Sequence, residues 1–165
     1  MRIIVLMGVS GAGKTTIGTL LAQKMGAVFA DADDYHSSAN KQKMASGHPL
    51  TDEDRQPWLE TLNGVLKGWF ENGASGVLAC SALKERYRTT LAAGMPQATV
   101  TFCLLEASRE VLAQRLLERH HEFMTPTLLD SQLATLEPQK DALGVKNDRP
   151  PNEVVDEILG RIKAT

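Results

Sequence analysis

Gly8-Val9-Ser10-Gly11-Ala12-Gly13-Lys14-Thr15 fits the pattern G-x-x-x-x-G-K-[ST] without a mismatch. Glycines in such a loop let the backbone close around a polyphosphate with its N–H groups turned inward, and neither Gly11 nor Gly13 has a side chain to block the approach. Lys14 then reaches the β- and γ-phosphates, and Thr15 is placed to ligate Mg²⁺. The bare pattern also arises by chance in glycine-rich turns, so its flanks decide. Arg2 to Met7 is a short apolar run of buried-strand type, and Thr16 to Met25 has helical spacing at Ile17, Leu20, Leu21 and Met25. Strand, glycine loop and helix follow in the order that phosphate binding requires.

A second group of reactive side chains follows the next short apolar run, Ala27 to Ala30. Asp31-Ala32-Asp33-Asp34-Tyr35-His36 puts three carboxylates and a histidine at the carboxyl end of a strand, the edge where open α/β sheets bind ligands. Residues two apart share a face while a strand persists, so Asp31 and Asp33 are expected to point into one site, with Asp34 as a turn or cap residue. No later strand ends in an acid of the Walker B kind. The Asp31/Asp33 pair is therefore the candidate either for Mg²⁺-bound water or for a catalytic base. Farther along, Arg115 and Arg119 lie four apart near the end of a helix capped by Ser108. They suit a mobile lid closing on phosphates, and equally an ordinary solvated helix face. His120 and His121 are adjacent, which is poor spacing for a shared metal.

The elements that must hold these groups alternate between strand and helix. After the acidic turn, Ser37 or Ser38 is expected to cap a helix through Ala45, closed by Gly47 and Pro49. Thr51 opens an acid-rich first turn, and Pro57 marks a kink or a fresh start. Beyond it Trp58, Leu59, Leu62, Val65, Leu66, Trp69 and Phe70 form one apolar stripe, which assigns both tryptophans to packing. Further strands are expected at Gly76 to Cys80, Thr99 to Leu105 and Ala142 to Val145. Helices fall over Lys84 to Ala92, from Ser108 onward, over Thr127 to Leu136 and from Pro151. The predicted architecture is α/β: a parallel five-stranded sheet flanked by helices, in one domain spanning 1–165, with inserted helices at about 37–72 and a lid at about 119–127 after the fourth strand.

Composition narrows the partners. At 165 residues, 42% hydrophobic and 23% charged, the chain has an ordinary globular composition. A net charge of -2 argues against a general nucleic-acid binder, so an anionic ligand must be held locally. The apolar run at the start is far too short for a membrane span or a leader, which predicts a cytoplasmic protein without a membrane partner. Cys80 and Cys103 lie in separate strand-like runs and are expected to be buried free thiols.

Taken together the sequence resembles the bacterial-type gluconokinases among the P-loop small-molecule kinases. The resemblance rests on Gly8 to Thr15, on Asp31-x-Asp33-x-x-His36 with Asn40 and Lys43-Met44, and most specifically on Gly47-x-Pro49-Leu50-x-Asp52-x-Asp54-Arg55-x-Pro57-Trp58-Leu59. Cys80-Ser81-Ala82-Leu83-Lys84-x-x-Tyr87-Arg88 and Leu128-Leu129-x-Ser131-Gln132-x-x-x-Leu136-Glu137 extend it over nearly the whole chain. It implies ATP- and Mg²⁺-dependent phosphorylation of D-gluconate on its 6-hydroxyl, strand order 2-3-1-4-5, and a homodimer. Three departures stand out: Ala32 for a glycine, Ser37 for a proline, and His121-Glu122 for Gly-His. If the replaced glycine needed positive φ, Ala32 would carry strain of about 1 kcal/mol.

With that resemblance, each role has a candidate. The loop from Gly8 through Val9, Ser10, Gly11, Ala12, Gly13, Lys14 and Thr15 to Thr16 is assigned to the nucleotide, with Arg115 over the adenine. Thr15 and Asp31 are assigned to the metal, and Lys14, Asp33 and Arg119 to catalysis. Asp33, His36, Arg55, Lys84, Arg88 and Gln132 are assigned to the acceptor, with Arg55 meeting its carboxylate through two parallel hydrogen bonds. Two alternatives remain open at this point: a kinase for another acceptor such as shikimate, and a nucleotide-binding switch that transfers nothing.

Overall fold

The computed structural model describes residues 1–119 and 126–165. The first strand, β1 (Ile3–Met7), is buried along its whole length, because it lies at the centre of the sheet and both its faces are covered. The other strands are β2 (Val28–Asp31), β3 (Gly76–Ala79), β4 (Val100–Glu106) and β5 (Leu143–Lys146). All neighbours pair in parallel, in the order β2-β3-β1-β4-β5. The expected fold and strand order are thus observed.

Alternation along β1 divides the core in two. Ile4 and Leu6 face α1 (Lys14–Met25), α5 (Arg109–Glu118), α6 (Pro126–Thr135) and α7 (Pro151–Ala164), through Ile17, Leu21, Leu112, Leu129, Val154 and Ile158. Ile3, Val5 and Met7 face α3 (Asp52–Glu71) and α4 (Glu85–Ala92), through Leu59, Leu62, Leu66, Tyr87 and Leu91. Burying each such side chain stabilises the fold by roughly 1.5–3 kcal/mol. Cys80 and Cys103 are buried free thiols, as expected, and desolvation pushes both up to about 12, which leaves them unreactive.

Three local expectations need correction. Pro57 does not begin a new helix: α3 runs through it from Asp52 to Glu71. The missing proline N–H forfeits one bond near the start of the helix, where Thr51 and Asp54 form a reciprocal capping box and Leu59, Leu62 and Leu66 anchor the following turns. The second correction concerns Ala32, which does not have positive φ; among described non-glycine residues only Ala82 and Ala98 do. Its methyl group is buried in the α3-side core, so the anticipated strain falls away. Third, the strand does not persist to Asp33. It ends at Asp31, and Ala32–Tyr35 form a single 3-10 turn. Ser37 caps α2 (Ser38–Ala45) with φ −63°, an angle a proline also adopts, so that departure is tolerated by the backbone. The expected lid at about 119–127, with His120, His121, Glu122, Phe123 and Met124, lies almost entirely outside the described residues.

The inserted helices pack closely on the sheet at Gly76, where a Cβ would fall within the ring of Trp69. A rigid indole cannot step aside as a flexible chain could. Gly76→Ala is expected to destabilise the protein by about 1–3 kcal/mol, measured as a lower urea midpoint with unchanged slope.

Candidate active site at the carboxyl edge of the sheet

Parallel strands end on one edge, and the predicted groups assemble there. β1 runs into the phosphate loop, and Gly8 N–H donates to the carbonyl of Ser81 just past β3 (3.3 Å). Gly8 has φ +143° and lies so near the Leu105 carbonyl that a Cβ would approach it to 2.9 Å. Gly13 has φ +94°, and a Cβ there would fall on the Asn147 amide nitrogen. Both positions therefore require glycine. Lys14 opens α1, and its Nζ donates to the carbonyls of Gly8 (2.9 Å) and Val9 (3.1 Å). Thr15 and Thr16 are exposed at the same helix start, whose free N–H groups favour an anion.

The outer side of the loop is held from three directions. Asn147, buried just past β5, donates to the Ala12 carbonyl (2.7 Å). Arg115 of α5 donates to the Gly11 carbonyl (3.2 Å) and to the Asn147 carbonyl. Gln132 of α6 accepts from Ser10 N–H (2.8 Å) and donates to its Oγ (3.3 Å). Sequence reasoning assigned Arg115 to adenine and Gln132 to the acceptor; the structure engages both with the loop backbone. Asn147 was not among the residues the sequence singled out, although an asparagine directly after a strand at the ligand edge was a usable signal.

Beside the loop, the acidic turn brings Asp31 and Asp33 together by a route other than strand alternation. Asp31 caps the 3-10 turn by accepting from Asp33 N–H (3.0 Å), and its other oxygen accepts from Thr15 Oγ (2.9 Å). A hydroxyl and a carboxylate at this separation suit Mg²⁺, which keeps several waters and takes few protein ligands beside phosphate oxygens. Desolvation in the cleft raises the Asp33 carboxyl above its ordinary value, the Asp31 charge raises it further, and Lys14 opposes both. Burial lowers the Lys14 ammonium, while Asp33 pulls it back up and the Arg119 charge adds to the lowering. Arg119 lies exposed at the end of α5.

Across the cleft, the ends of α3 and α4 supply cations. Arg55 donates to the Leu50 carbonyl (2.8 Å) and to Tyr87 Oη (3.3 Å), and lies 5.6 Å from the Tyr87 ring centroid. It has no carboxylate partner among the described residues. Lys84, by contrast, pairs with Asp52 (3.1 Å), which also accepts from Arg86 (3.1 Å) and from the Tyr87 hydroxyl. Those donors hold the Asp52 carboxyl below its usual range. His36 stacks on Trp58 at 4.2 Å, and its buried Nδ1 has no partner among the described residues. Burial first, then the Arg55 charge, lowers its pKa and keeps the ring neutral. Arg88 is not placed with this group. It is 3% exposed, donates to the Glu137 carbonyl (2.8 Å), and packs against Met7.

A phosphate loop between β1 and α1, an acid pair beside its lysine and a separate cation-lined cleft define a P-loop phosphotransferase for a small acceptor. Comparisons with known proteins agree. The shikimate kinase family model matches residues 10–163. The chain is 44% identical to a probable gluconokinase of Xenopus tropicalis, over 97% of this chain and 93% of that protein. It is 41% identical to a gluconokinase of Gluconobacter oxydans, over 99% and 92% respectively. The crystal structure of a gluconokinase from Sinorhizobium meliloti superposes with a TM-score of 0.87 at 37% identity, covering 99% of this chain and 92% of that one. The chain belongs to the gluconokinase family.

The raised Asp33 carboxyl has a cost in stability with a definite sign. A folded value above the unfolded one makes ionisation unfavourable to folding; the penalty is absent below the unfolded value and complete above the folded one. Asp33→Asn is therefore expected to raise Tm at pH 8 and to leave it nearly unchanged at pH 3. An equal or lower Tm at pH 8 would contradict this assignment.

Proposed function

We propose that the protein transfers the γ-phosphoryl group of ATP to the 6-hydroxyl of D-gluconate. The observation that carries this reading is Arg55, a half-buried guanidinium without an acidic partner among the described residues, held by the Leu50 carbonyl and Tyr87 and near enough to His36 for its charge to act on that ring. Such a group is matched to one carboxylate at the far end of a polyhydroxy acid. The full-length gluconokinase relatives support the same acceptor.

In this reading the phosphate loop and Lys14 hold the donor phosphates, and Thr15 with Asp31 holds Mg²⁺. The metal, when bound, neutralises charge on the phosphate oxygens. Asp33 receives the proton of the 6-hydroxyl as its oxygen forms a bond to the γ-phosphorus, and the bond from phosphorus to the β-phosphate oxygen breaks. The products are ADP and the 6-phosphorylated acid. The raised pKa makes Asp33 a stronger base than an ordinary aspartate. Arg119 faces the charge on the transferring group. His36 stands on the Trp58 ring beside the Arg55 charge, and Lys84, held by Asp52, lies beside Arg55's aromatic partner. A homodimer in the cytoplasm completes the proposal; no helix among the described residues is long and apolar enough to cross a membrane.

A coupled ADP-release assay across gluconate, shikimate and other sugar acids tests the acceptor. Gluconate is expected to give the highest kcat/KM; nucleotide binding without acceptor-dependent turnover would indicate a switch. Lys14→Ala should reduce kcat at least about a hundredfold. Asp33→Asn should reduce kcat by about 10² or more while gluconate KM changes little. Arg55→Ala should chiefly raise gluconate KM, by roughly ten- to a hundredfold if a charged hydrogen-bonded contact is lost. An unchanged KM would place the carboxylate elsewhere.

A further inference from the structure

We infer that Gln132 is a positioning residue for the phosphate loop, acting through Ser10 on the donor side of the reaction, and not a ligand of the acceptor. The inference rests on the nucleotide-site reading above. Its basis is a two-point contact over a long sequence separation: the Gln132 carbonyl accepts from Ser10 N–H at 2.8 Å, and its amide donates to Ser10 Oγ at 3.3 Å. Because a backbone N–H can only donate, the first bond fixes which end of the amide faces the loop. A pair of bonds to one residue restrains both the position and the orientation of that peptide unit. Ser10 immediately precedes Gly11, whose carbonyl is held from the far side by Arg115. Two side chains from different helices thus grip consecutive residues.

Gln132 can do this because the end of α6 is itself anchored. One turn on, Glu137 N–H donates to the Leu83 carbonyl (2.7 Å). Its carboxylate accepts from Glu85 N–H at the start of α4 (2.9 Å), and its carbonyl accepts from buried Arg88 (2.8 Å). Those contacts lie on the β3–α4 side of the cleft, so α6 spans from that wall to the donor loop. The buried Arg88 guanidinium holds the span in place through the Glu137 carbonyl.

The experiment compares Gln132→Ala and Gln132→Glu with wild type. In nucleotide-free protein, amide hydrogen exchange at Ser10 is expected to quicken in Gln132→Ala and to stay slow in Gln132→Glu, which keeps the accepting oxygen. Loss of one or two neutral hydrogen bonds predicts roughly a three- to tenfold weaker Kd for MgADP in Gln132→Ala, with gluconate KM within about twofold of wild type. Gln132→Glu should also weaken MgADP, through the charge it brings toward the phosphates. A raised gluconate KM with unchanged MgADP affinity and unchanged Ser10 exchange would make Gln132 an acceptor ligand and overturn the inference. So would fast Ser10 exchange in both variants. Wild type that fails to bind MgADP would instead refute the nucleotide-site reading on which it rests.

Discussion

A loop that turns its N–H groups inward to receive phosphates must turn carbonyls outward, and those carbonyls need donors. The rest of the site depends on meeting that requirement. Asn147 supplies Ala12, Arg115 supplies Gly11, and Lys14 supplies Gly8 and Val9. Left unsatisfied in partly buried positions, such groups would each cost about 1–3 kcal/mol. The donors come from the β5–α7 connection, from α5 and from α1, so the loop's shape is set by elements far apart in the chain. Gly13 must be glycine for the same reason: the amide of Asn147 occupies the space a side chain would need.

The cluster of cations around Tyr87 is arranged differently, through charge placement. Asp52 gathers Lys84, Arg86 and the Tyr87 hydroxyl, and Tyr87 in turn meets Arg55 with both its ring and its oxygen. A hydroxyl that donates to Asp52 has its lone pairs free to accept from Arg55, so one aspartate orients a guanidinium it does not touch. Asp54, two residues on, caps the helix and pairs with Lys43 (2.6 Å), which holds its carboxyl down at about 2. The first turn of α3 thus joins helix capping and cation placement in a few residues.

Much of this was legible in the sequence, and the parts that were not share a cause. Local signals carried the fold: glycine spacing identified the loop, apolar runs identified the strands, and the stripe from Trp58 to Phe70 identified α3. Asp31 and Asp33 were expected to converge through strand alternation, whereas they do so through a 3-10 turn capped by Asp31. Residue type revealed which side chains bear charge but not which partners would engage them. Arg88 was assigned to the acceptor through the motif that carries the family resemblance, yet it is buried against Met7 and holds a carbonyl. Arg115 and Gln132 were assigned to ligands for similar reasons, and their bonds to Gly11 and Ser10 span more than a hundred residues. No periodicity or spacing rule reports contacts at that separation.

One link between the two halves of the cleft is simple in kind. Trp58 of α3 donates its indole N–H to the carbonyl of Ala32 (2.7 Å), between the two acids, while its ring lies against His36. The receiving group is backbone, present whatever side chain stands at that position. The bond therefore ties α3 to the acidic turn without using either carboxylate. A single indole thus braces both: its edge holds the turn that carries the acids, and its face supports the imidazole.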